Sequence, residues 1–583
     1  MLHTLTRSLR ENKGPALVTV LFSALEVVFE IVIPLFMSNL IDFGIEGGSM
    51  AAVWKFGAFL LLLAAFQLAT GVLAARIAAR ASVGFAANLR EDMYNNVQTF
   101  AFSNIDKFST ASIVTRLTTD TTNVQNAFQM LMRMAIRAPV MLIFSMIVSF
   151  RISRDISMTF LVILPILALA LFFIIRSVFP VFSRVFRTYD ELNNVVQENV
   201  RGIRVVKSFN QERHEIGKFG AISERIYKDF SKGERLITLN APLMQFCIYT
   251  CMIVISWLGA KAIIASGNDP ALGLTTGNLT ALITYTMQIL SSLMMLSMVF
   301  AMLTISLSSA RRIAEVLEER SDIPQPEQPV MTVRDGAVDF DHVSFVYASK
   351  ADKKVLDDID LHIRSGETIG IIGGTGASKS SLVQLIPRLY DVTGGKLTLG
   401  GVDVRDYDLD TLRGAVAMVL QKNELFSGTI AENLRWGNEN ATDEQLRHAC
   451  KLACADGFIS AMPDGYDTHI EQGGTNVSGG QKQRLCIARA LLKKPKVLIL
   501  DDSTSAVDTR TDAQIQQALS TYIPDTTKII IAQRISSVQN ADRIVVLDDG
   551  HIDAVGCHDE LLRTCEIYRE VYESQQKGGE DDA

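Results

Sequence analysis

The chain has 583 residues, enough for several domains, and 48% of them are hydrophobic. Its 56 basic residues face 63 acidic ones, so the formal net charge is −7 and we expect no nucleic-acid partner. The mean hydropathy of +0.22 averages an apolar first half and a second half with the composition of a soluble domain. Two cysteine pairs at i,i+4 spacing, Cys247/Cys251 and Cys450/Cys454, are expected to pack as apolar side chains.

Basic residues precede the first apolar stretch, namely Arg7, Arg10 and Lys13. This arrangement resembles a signal peptide, but the apolar stretch continues for more than 20 residues and has no small-residue cleavage site. We therefore expect a retained membrane helix whose basic lead-in lies in the cytoplasm.

Six apolar stretches are each long enough to cross about 30 Å of hydrocarbon, for which about 20 helical residues suffice. They are residues 16–41, 55–79, 131–150, 157–179, 241–265 and 279–303. Two connections, residues 80–130 and 180–240, are long and polar, with a basic excess that places them and both termini in the cytoplasm. We expect both to prolong the membrane helices into the cytoplasm, with a short helix at each tip near residues 102–113 and 210–222.

Two carboxylates, Glu26 and Glu30, lie one helical turn apart inside the first predicted span. Carboxylates inside a membrane are costly and usually face the bundle interior or a cavity. One interpretation places them in the path of a transported solute, as a cation-attracting wall or as protonatable groups. The other is a packing role, in which neighbouring helices hydrogen-bond both carboxylates, and the sequence leaves both interpretations open.

The two halves of the chain are joined by residues 321–335, whose three prolines predict a linker. The predicted domains are residues 1–320 in the membrane and residues 336–575 in solution, followed by a polar tail at 576–583. In the second domain, strands are predicted at residues 336–347, 396–399, 496–500, 528–532 and 543–547. Helices are predicted at residues 429–436 and 442–462, and a helix followed by a strand at 409–420. Short apolar strands between helices are typical of a mostly parallel sheet.

A glycine-rich turn follows the apolar residues 368–372 and precedes a helix. Its residues are Gly373, Gly374, Thr375, Gly376, Ala377, Ser378, Lys379, Ser380 and Ser381, and we call them the phosphate loop. In such loops the backbone amides and the helix N-terminus face the phosphates of a nucleotide. Lys379 is predicted to reach the outer phosphates and Ser380 to ligate Mg²⁺. Ser378 stands where the pattern normally has glycine, and its side chain is expected to crowd the backbone's approach to phosphate.

Two further segments complete a nucleotide site. The apolar residues 497–500 end in Asp501, and a carboxylate at that position commonly holds Mg²⁺ through water. Ser478, Gly479, Gly480 and Gln481, the signature segment, open a helix and form a second anion site. One nucleotide does not need two such sites in one monomer. Two chains arranged head to tail do, because each signature segment then covers the γ-phosphate on the other chain's phosphate loop.

This ordered set of motifs resembles the ATP-binding cassette (ABC) transporters of the exporter type, over essentially the whole chain. Residues 115–120 and 198–209 are also similar to the intracellular-extension motifs of these exporters. The resemblance implies a membrane all-α domain of six helices and a cytoplasmic α/β P-loop ATPase domain with a helical subdomain. It also implies ATP and Mg²⁺ as cofactors, Tyr347 stacked on adenine, Gln421 sensing Mg²⁺ and the γ-phosphate, and a loop at 505–508 that crosses the dimer interface.

Three positions depart from the family pattern. Asp502 stands where hydrolytic sites carry glutamate, so its carboxylate lies about 1–1.5 Å farther from the attacking water, and such misplacement costs on the order of a hundredfold. Gln533 stands at the switch position usually held by histidine, and an amide cannot become cationic to offset developing charge. Ser378 is the third departure. All three act on the chain's own nucleotide, whereas the signature segment, which acts on a partner's, is intact.

We therefore expect a half-subunit of a heterodimeric exporter in the cell membrane, whose own site hydrolyses ATP slowly and whose partner is a second ABC half-transporter. Its predicted cargo is a hydrophobic or amphipathic solute leaving the cytoplasm. A homodimer in which Asp502 works slowly is the alternative assembly. An ATP-gated regulatory or channel-like protein, or an uptake system on the same fold, is the alternative function.

Overall fold

The computed structural model describes residues 1–270, 273–347, 354–374, 376–503 and 507–580. Thr375 of the phosphate loop lies outside the described residues, as do Ser505 and Ala506 of the loop at 505–508. The chain divides into two compact units, Met1–Gln98 with Thr110–Glu319 and Thr99–Ser109 with Arg320–Ala583. The predicted linker at 321–335 and the domain boundaries beside it stay predictions.

The first unit is helical. With α4, which belongs to the second unit, the helices are α1 (Leu2–Arg7), α2 (Lys13–Asn39), α3 (Met50–Gln98), α4 (Phe102–Lys107), α5 (Thr110–Thr115), α6 (Thr121–Ile152), α7 (Arg154–Arg201), α8 (Ile203–Ser208), α9 (Glu212–Thr238), α10 (Asn240–Ser266) and α11 (Thr276–Glu318). A 3₁₀ turn at Arg10–Asn12 precedes α2, and π-helical turns at Leu40–Glu46 and Arg116–Asp120 follow α2 and α5.

Six helical segments among the described residues are long and apolar enough to cross a membrane. They are Arg10–Glu46, Met50–Gln98, Thr110–Ile152, Arg154–Arg201, Glu212–Ser266 and Thr276–Phe300, which confirms the six predicted spans. Large apolar side chains such as Leu61 and Ile264 remain exposed along them, as a lipid-facing surface requires. Inside the bundle, Cys247 and Cys251 are buried in an apolar cluster between α7, α10 and α11. Their predicted packing role is therefore confirmed.

Each of the two long connections contains a short helix, but only the first lies where the sequence predicts it. The first carries α4 within residues 102–113, as expected. The second prediction was wrong, because the short helix is α8 at Ile203–Ser208 and the residues from Glu212 onward begin the 27-residue helix α9. Gly202, with φ −90° and ψ 10°, ends α7 early. Asn210, with φ +54°, lies in the turn between α8 and α9, where the sequence predicts the start of the short helix.

The second unit is an α/β domain. Its strands are β1 (Val338–Phe345), β2 (Leu356–Ile363), β3 (Thr368–Gly373), β4 (Gly394–Leu399), β5 (Val402–Asp403), β6 (Val416–Val419), β7 (Gly428–Thr429), β8 (His469–Ile470), β9 (Val497–Asp501), β10 (Thr527–Ile531), β11 (Arg543–Asp548) and β12 (His551–Gly556). Its helices after α4 are α12 (Lys379–Leu385), α13 (Leu409–Ala415), α14 (Ile430–Arg435), α15 (Asp443–Leu452), α16 (Asp456–Ser460), α17 (Gly479–Leu492), α18 (Thr509–Tyr522), α19 (His558–Thr564) and α20 (Glu566–Glu580).

Among the described residues, six strands form the central sheet in the order β12-β11-β3-β10-β9-β6, with β12 antiparallel and the other neighbours parallel. Alternate side chains of β9 enter two different cores, Leu498 and Leu500 on one face and Val497 and Ile499 on the other. Both faces of the sheet are therefore covered, which explains why its strands are continuous apolar runs. A second sheet is antiparallel and has the strand order β2-β1-β4-β5. The sequence patterns do not predict its strand β2.

The predicted helix at 442–462 is two helices, α15 and α16. The break is at Cys454, whose φ of +53° lies in the left-handed region and cannot continue an α-helix. Nothing in the residue type signals this break, since cysteine has no special preference for that region.

The parallel strands bring four loops to one edge of the sheet. Ile531 at the end of β10 pairs with Ile371 of β3 and with Asp501 of β9, and Val419 at the end of β6 pairs with Leu500. The residues that follow these strands therefore meet at the carboxyl edge, where open α/β sheets bind ligands.

Candidate functional site

The phosphate loop leaves β3 at Gly373 and enters α12 at Lys379. A Cβ on Gly373 would lie 2.2 Å from the carbonyl oxygen of Leu547, so only glycine fits this turn. Gly376 has φ +90° and open space where a side chain would stand. The Lys379 ammonium donates to the carbonyl oxygens of Gly373 and Gly374, both at 2.8 Å. The loop is therefore a turn of small residues, and two hydrogen bonds to its carbonyl oxygens hold the Lys379 ammonium against it.

Ser378 adopts φ +65° and ψ +19°, the left-handed region that glycine adopts without strain. The structure therefore gives a physical reason for the glycine that the family pattern has here. For serine, this conformation costs about 1–2 kcal/mol.

Ser378→Gly is expected to tighten ATP binding several-fold, because the change removes a side chain beside the phosphates and the backbone strain with it. The greater entropy of the glycine variant's unfolded state offsets about 0.4–1 kcal/mol of the relieved strain, so the net gain in stability is about 0 to 1.6 kcal/mol. Equilibrium nucleotide binding and thermal melting measure the two effects. Ser520→Gly, at an exposed position of α18, is the control and should lower stability without changing ATP binding. Weaker binding by the Ser378→Gly variant would contradict the expectation.

Asp501 is buried at the end of β9 beside the phosphate loop. Burial raises the pKa of its carboxyl group, while a hydrogen bond with Ser380 and the Lys379 ammonium oppose that rise. Burial also lowers the pKa of Lys379, against the attraction of Asp501 and Asp502. The hydroxyl of Ser380 and the carboxylate of Asp501 are hard oxygen ligands of the kind Mg²⁺ prefers.

Asp502 receives two side-chain amides on one oxygen. Its Oδ2 accepts a hydrogen bond from Gln421 Nε2 at 3.2 Å and another from Gln533 Nε2 at 2.9 Å. The three residues follow β9, β6 and β10, so the sheet register assembles them. The structure thus joins the residues predicted from three separate motifs into one cluster beside Lys379 and Asp501.

Tyr347 follows β1, and its side chain is 45% exposed. Its ring stands edge-on to Tyr390, with centroids 5.1 Å apart, and its hydroxyl shares a 2.7 Å hydrogen bond with Ser381 Oγ. Tyr347, the residue predicted to stack on adenine, is therefore hydrogen-bonded to α12, the helix that begins in the phosphate loop.

The signature segment forms a local cap. Ser478 Oγ accepts from the Gln481 amide at 3.2 Å, and the Ser478 amide donates to Gln481 Oε1 at 2.9 Å, a reciprocal capping box that begins α17. Gly479 and Gly480 are the first residues of the helix. Within the described part of the chain, no hydrogen bond joins Ser478 or Gln481 to the phosphate-loop cluster.

In the membrane unit, both carboxylates of α2 contact a residue that the sequence did not single out. Arg137 of α6 donates to Glu26 Oε1 at 2.7 Å and to Glu30 Oε2 at 2.6 Å. Gln288 of α11 donates to the Glu30 carbonyl oxygen at 3.2 Å. Glu30 and Arg137 also line a cavity of about 170 Å³ that Met287 and other residues complete. This is the hydrogen bonding that a packing role requires, and the solute-path role of Glu26 and Glu30 stays a prediction.

Arg137→Gln is expected to destabilise the membrane unit by roughly 3 kcal/mol, because two carboxylates one turn apart then lose their shared cation. Thermal melting in detergent should show an apparent Tm several degrees lower. Arg133→Gln, one turn earlier on the same helix, is the matched control and should change little. Adding Glu26→Gln to the Arg137 variant should restore part of the loss, and a Tm unaffected by Arg137→Gln would refute a structural role for this ion pair.

Two family models match the chain, the ABC transporter transmembrane region at residues 16–294 and the ABC transporter at residues 356–505. The uncharacterized ABC transporter ATP-binding protein YfiB of Bacillus subtilis is 36% identical over 550 residues, which cover 94% of each chain. YknU of the same organism, with the same description, is 34% identical over 490 residues, 84% of this chain and 83% of its own.

This chain is an ABC transporter. A bacterial Atm1-family ABC exporter with ATP bound superimposes with a TM-score of 0.82, covering 97% of this chain and 99% of its own at 23% identity. At that identity the match shows the fold, which is the exporter-type half-transporter fold of six membrane helices and an ABC ATPase domain. The predicted family and fold class are confirmed.

ABC ATPase domains bind ATP with Mg²⁺, and the residues of this ABC transporter fit both. The open space at Gly374 and Gly376 leaves the loop amides accessible to phosphate oxygens, and Lys379 already spans the loop. Ser380 and Asp501 would hold the Mg²⁺, which would neutralise phosphate charge there. Motif reasoning missed the contacts of Tyr390 and Arg137, since neither residue belongs to a recurring motif.

Proposed function

We propose that this ABC transporter is one half of a heterodimeric exporter, with a slow ATP site of its own and a signature segment that completes its partner's site. The observation that carries the proposal is the Asp502 carboxylate, which two glutamine amides hold at 3.2 and 2.9 Å. Both amides donate to the same oxygen, Oδ2, and so fix the orientation of a carboxylate that is one methylene shorter than the glutamate of hydrolytic sites.

The chemistry of this cluster favours binding over hydrolysis. A general base must lie within hydrogen-bond reach of the water it deprotonates, and Asp502 is one methylene shorter than glutamate. Gln533 can donate a hydrogen bond but carries no charge to stabilise the developing negative charge on phosphate. Lys379 supplies positive charge for binding, so we infer a site that holds ATP and turns it over slowly.

The signature segment supports the other half of the proposal. Its capping box is complete, and α17 begins directly at Gly479, so the backbone amides at its start are in the geometry of an anion site. The role proposed for residues 478–481 is therefore to cover ATP on a second ABC half-transporter, the proposed partner of this chain.

The second unit supports a route by which nucleotide binding reaches the membrane. Tyr390 Oη donates to Asp106 Oδ2 of α4 at 2.8 Å, and the ring of Phe102 lies 6.1 Å from the Tyr390 ring. Because Tyr390 also contacts Tyr347, adenine stacking on Tyr347 would act on α4 through one intervening side chain. We propose that this contact turns an inward cavity outward to release a hydrophobic or amphipathic solute.

The proposed location is the cell membrane, with both termini and the ATPase domain in the cytoplasm. The basic residues of the two long connections support this orientation. The cavity of the membrane unit that Glu30 and Arg137 line also contains Met141, Met287 and Met295. This mixture of charged and adaptable apolar side chains supports an amphipathic cargo.

The deciding experiment compares Mg-ATP turnover by the chain alone and co-purified with a second half-transporter, both in lipid. Slow turnover alone and much faster turnover together support the proposal, provided that changing the partner's catalytic carboxylate abolishes the increase. Robust turnover by the chain alone, lost in Asp502→Asn, would overturn it in favour of a homodimer. Solute accumulation against a gradient separates an exporter from an ATP-gated channel.

A further inference from the structure

The C-terminal helix α20 (Glu566–Glu580) contacts the segment that carries Gln533. Gln575 Nε2 donates to the carbonyl oxygen of Gln533 at 2.7 Å, and Gln575 Oε1 accepts from the amide of Ile535 at 2.9 Å. One side-chain amide therefore pairs with the backbone on both sides of Arg534. This is the pattern by which an amide side chain replaces a strand partner for a stretch of irregular backbone.

The helix is anchored so that Gln575 is held in place. Tyr568 is fully buried, its hydroxyl lies 2.8 Å from His558 Nδ1, and it shares an apolar core with Ile535. Tyr568 and Gln575 are seven residues apart, which puts them on the same face of the helix. The buried tyrosine thus fixes the face of α20 that meets the backbone near Gln533.

The contacted segment lies between β10, which ends at Ile531, and a 3₁₀ turn at Ile535–Ser537. At its far end Ser537 Oγ donates to Asp512 Oδ2 at 2.6 Å. Between the end of β10 and Ser537, Gln575 holds the backbone of Gln533, whose side chain donates to Asp502. A small rotation of the backbone at Gln533 would move its side-chain amide away from that carboxylate.

We propose that Gln575 is a positioning residue of this chain's ATP site, and that the C-terminal helix sets the geometry of Gln533 against Asp502. The inference rests on the proposed function, because it matters for turnover only if Asp502 and Gln533 act on ATP. Gln575 contacts neither the phosphate loop nor Asp502 through the hydrogen bonds described, so it acts through Gln533.

The test uses Gln575→Leu, which keeps the size of the side chain and removes both hydrogen bonds. Gln576→Leu is the matched control, because the neighbouring Gln576 donates to Tyr572 Oη on the same helix, whereas Gln575 bonds to the backbone of Gln533 and Ile535. In the full-length chain, amide hydrogen exchange at Ile535 should become at least about tenfold faster in Gln575→Leu and stay unchanged in Gln576→Leu.

Turnover is measured with the chain alone in lipid, where only its own sites contribute. Gln575→Leu should lower kcat on the order of fivefold while KM for ATP stays within about twofold, since no nucleotide contact is lost. In a Gln533→Ala background, Gln575→Leu should have no further effect. A merely structural role would instead lower Tm and act additively on turnover.

The outcomes separate the two claims. If Gln533→Ala and Asp502→Asn leave the chain's turnover unchanged, the proposed function of this site fails. If those variants lower turnover but Gln575→Leu does not, or if exchange at Ile535 is unchanged, only the role of Gln575 is overturned. If Gln575→Leu shows faster exchange at Ile535 and a lower kcat, and Gln576→Leu shows neither, the positioning role of Gln575 is established.

Discussion

Replacing Lys379 by alanine is expected to weaken ATP binding to this chain by about 10- to 100-fold. A charged hydrogen bond contributes about 1.5–3 kcal/mol, and each 1.4 kcal/mol is a factor of about ten in affinity. Lys379 also donates to the carbonyl oxygens of Gly373 and Gly374 at 2.8 Å, so its removal loosens the loop that must receive the phosphates. Equilibrium binding of Mg-ATP to the full-length chain measures the loss. Lys396→Ala, at an exposed position of strand β4, is the control and should bind as the unchanged protein does.

The same lysine predicts how ATP affinity depends on pH. Burial lowers the pKa of Lys379 in the free protein, although Asp501 and Asp502 oppose the shift. Bound phosphate favours the charged ammonium, so above that lowered pKa binding must take up a proton and the affinity falls as the pH rises. The fall should begin below the usual lysine pKa of about 10.4 and be absent in Lys379→Ala. An affinity that stays constant up to pH 10, or one that Lys379→Ala leaves unchanged, would show that Lys379 does not contact the phosphates.

Much of this architecture follows from local sequence. The six spans are long apolar runs, and the composition of such a run alone decides that it lies in a membrane. The phosphate loop is predicted equally well from sequence, because Gly373 and Gly376 meet steric requirements that few other residues satisfy. The family resemblance placed Gln421, Asp502 and Gln533 in one nucleotide site, and the structure gives the reason, since parallel strands bring the loops after β6, β9 and β10 to one edge.

Other features depend on contacts between distant segments or on unusual backbone angles. Arg137 is 107 residues from Glu30, and no spacing rule connects an arginine of one membrane helix to a carboxylate of another. Gln575 meets Gln533 across 42 residues, through a helix that no motif marks as part of the site. The breaks at Cys454 and Asn210 arise from left-handed backbone, and for cysteine in particular side-chain preference gives no warning.

Asp502→Glu is expected to raise ATP turnover by the chain alone on the order of tenfold. The added methylene extends the carboxylate by about 1–1.5 Å, and correcting a misplacement of that size can be worth about a hundredfold, or roughly 2.7 kcal/mol. Two effects reduce the gain. Asp502 has φ +48°, which aspartate tolerates better than glutamate at a difference of about 1 kcal/mol, and Gln421 and Gln533 must move to admit the longer side chain.

Two further variants separate the effect of carboxylate length from the effect of charge. Asp502→Asn keeps the size of the side chain and removes the base, so it should abolish whatever slow turnover the chain has. Adding Gln533→His to Asp502→Glu should raise turnover further, because histidine can carry the positive charge that glutamine lacks. If Asp502→Glu is slower than the natural protein while Asp502→Asn is inactive, then Asp502 already meets the water at its present length. The two glutamine amides would then position a working base, and the asymmetry between the two halves would have no chemical basis in this chain.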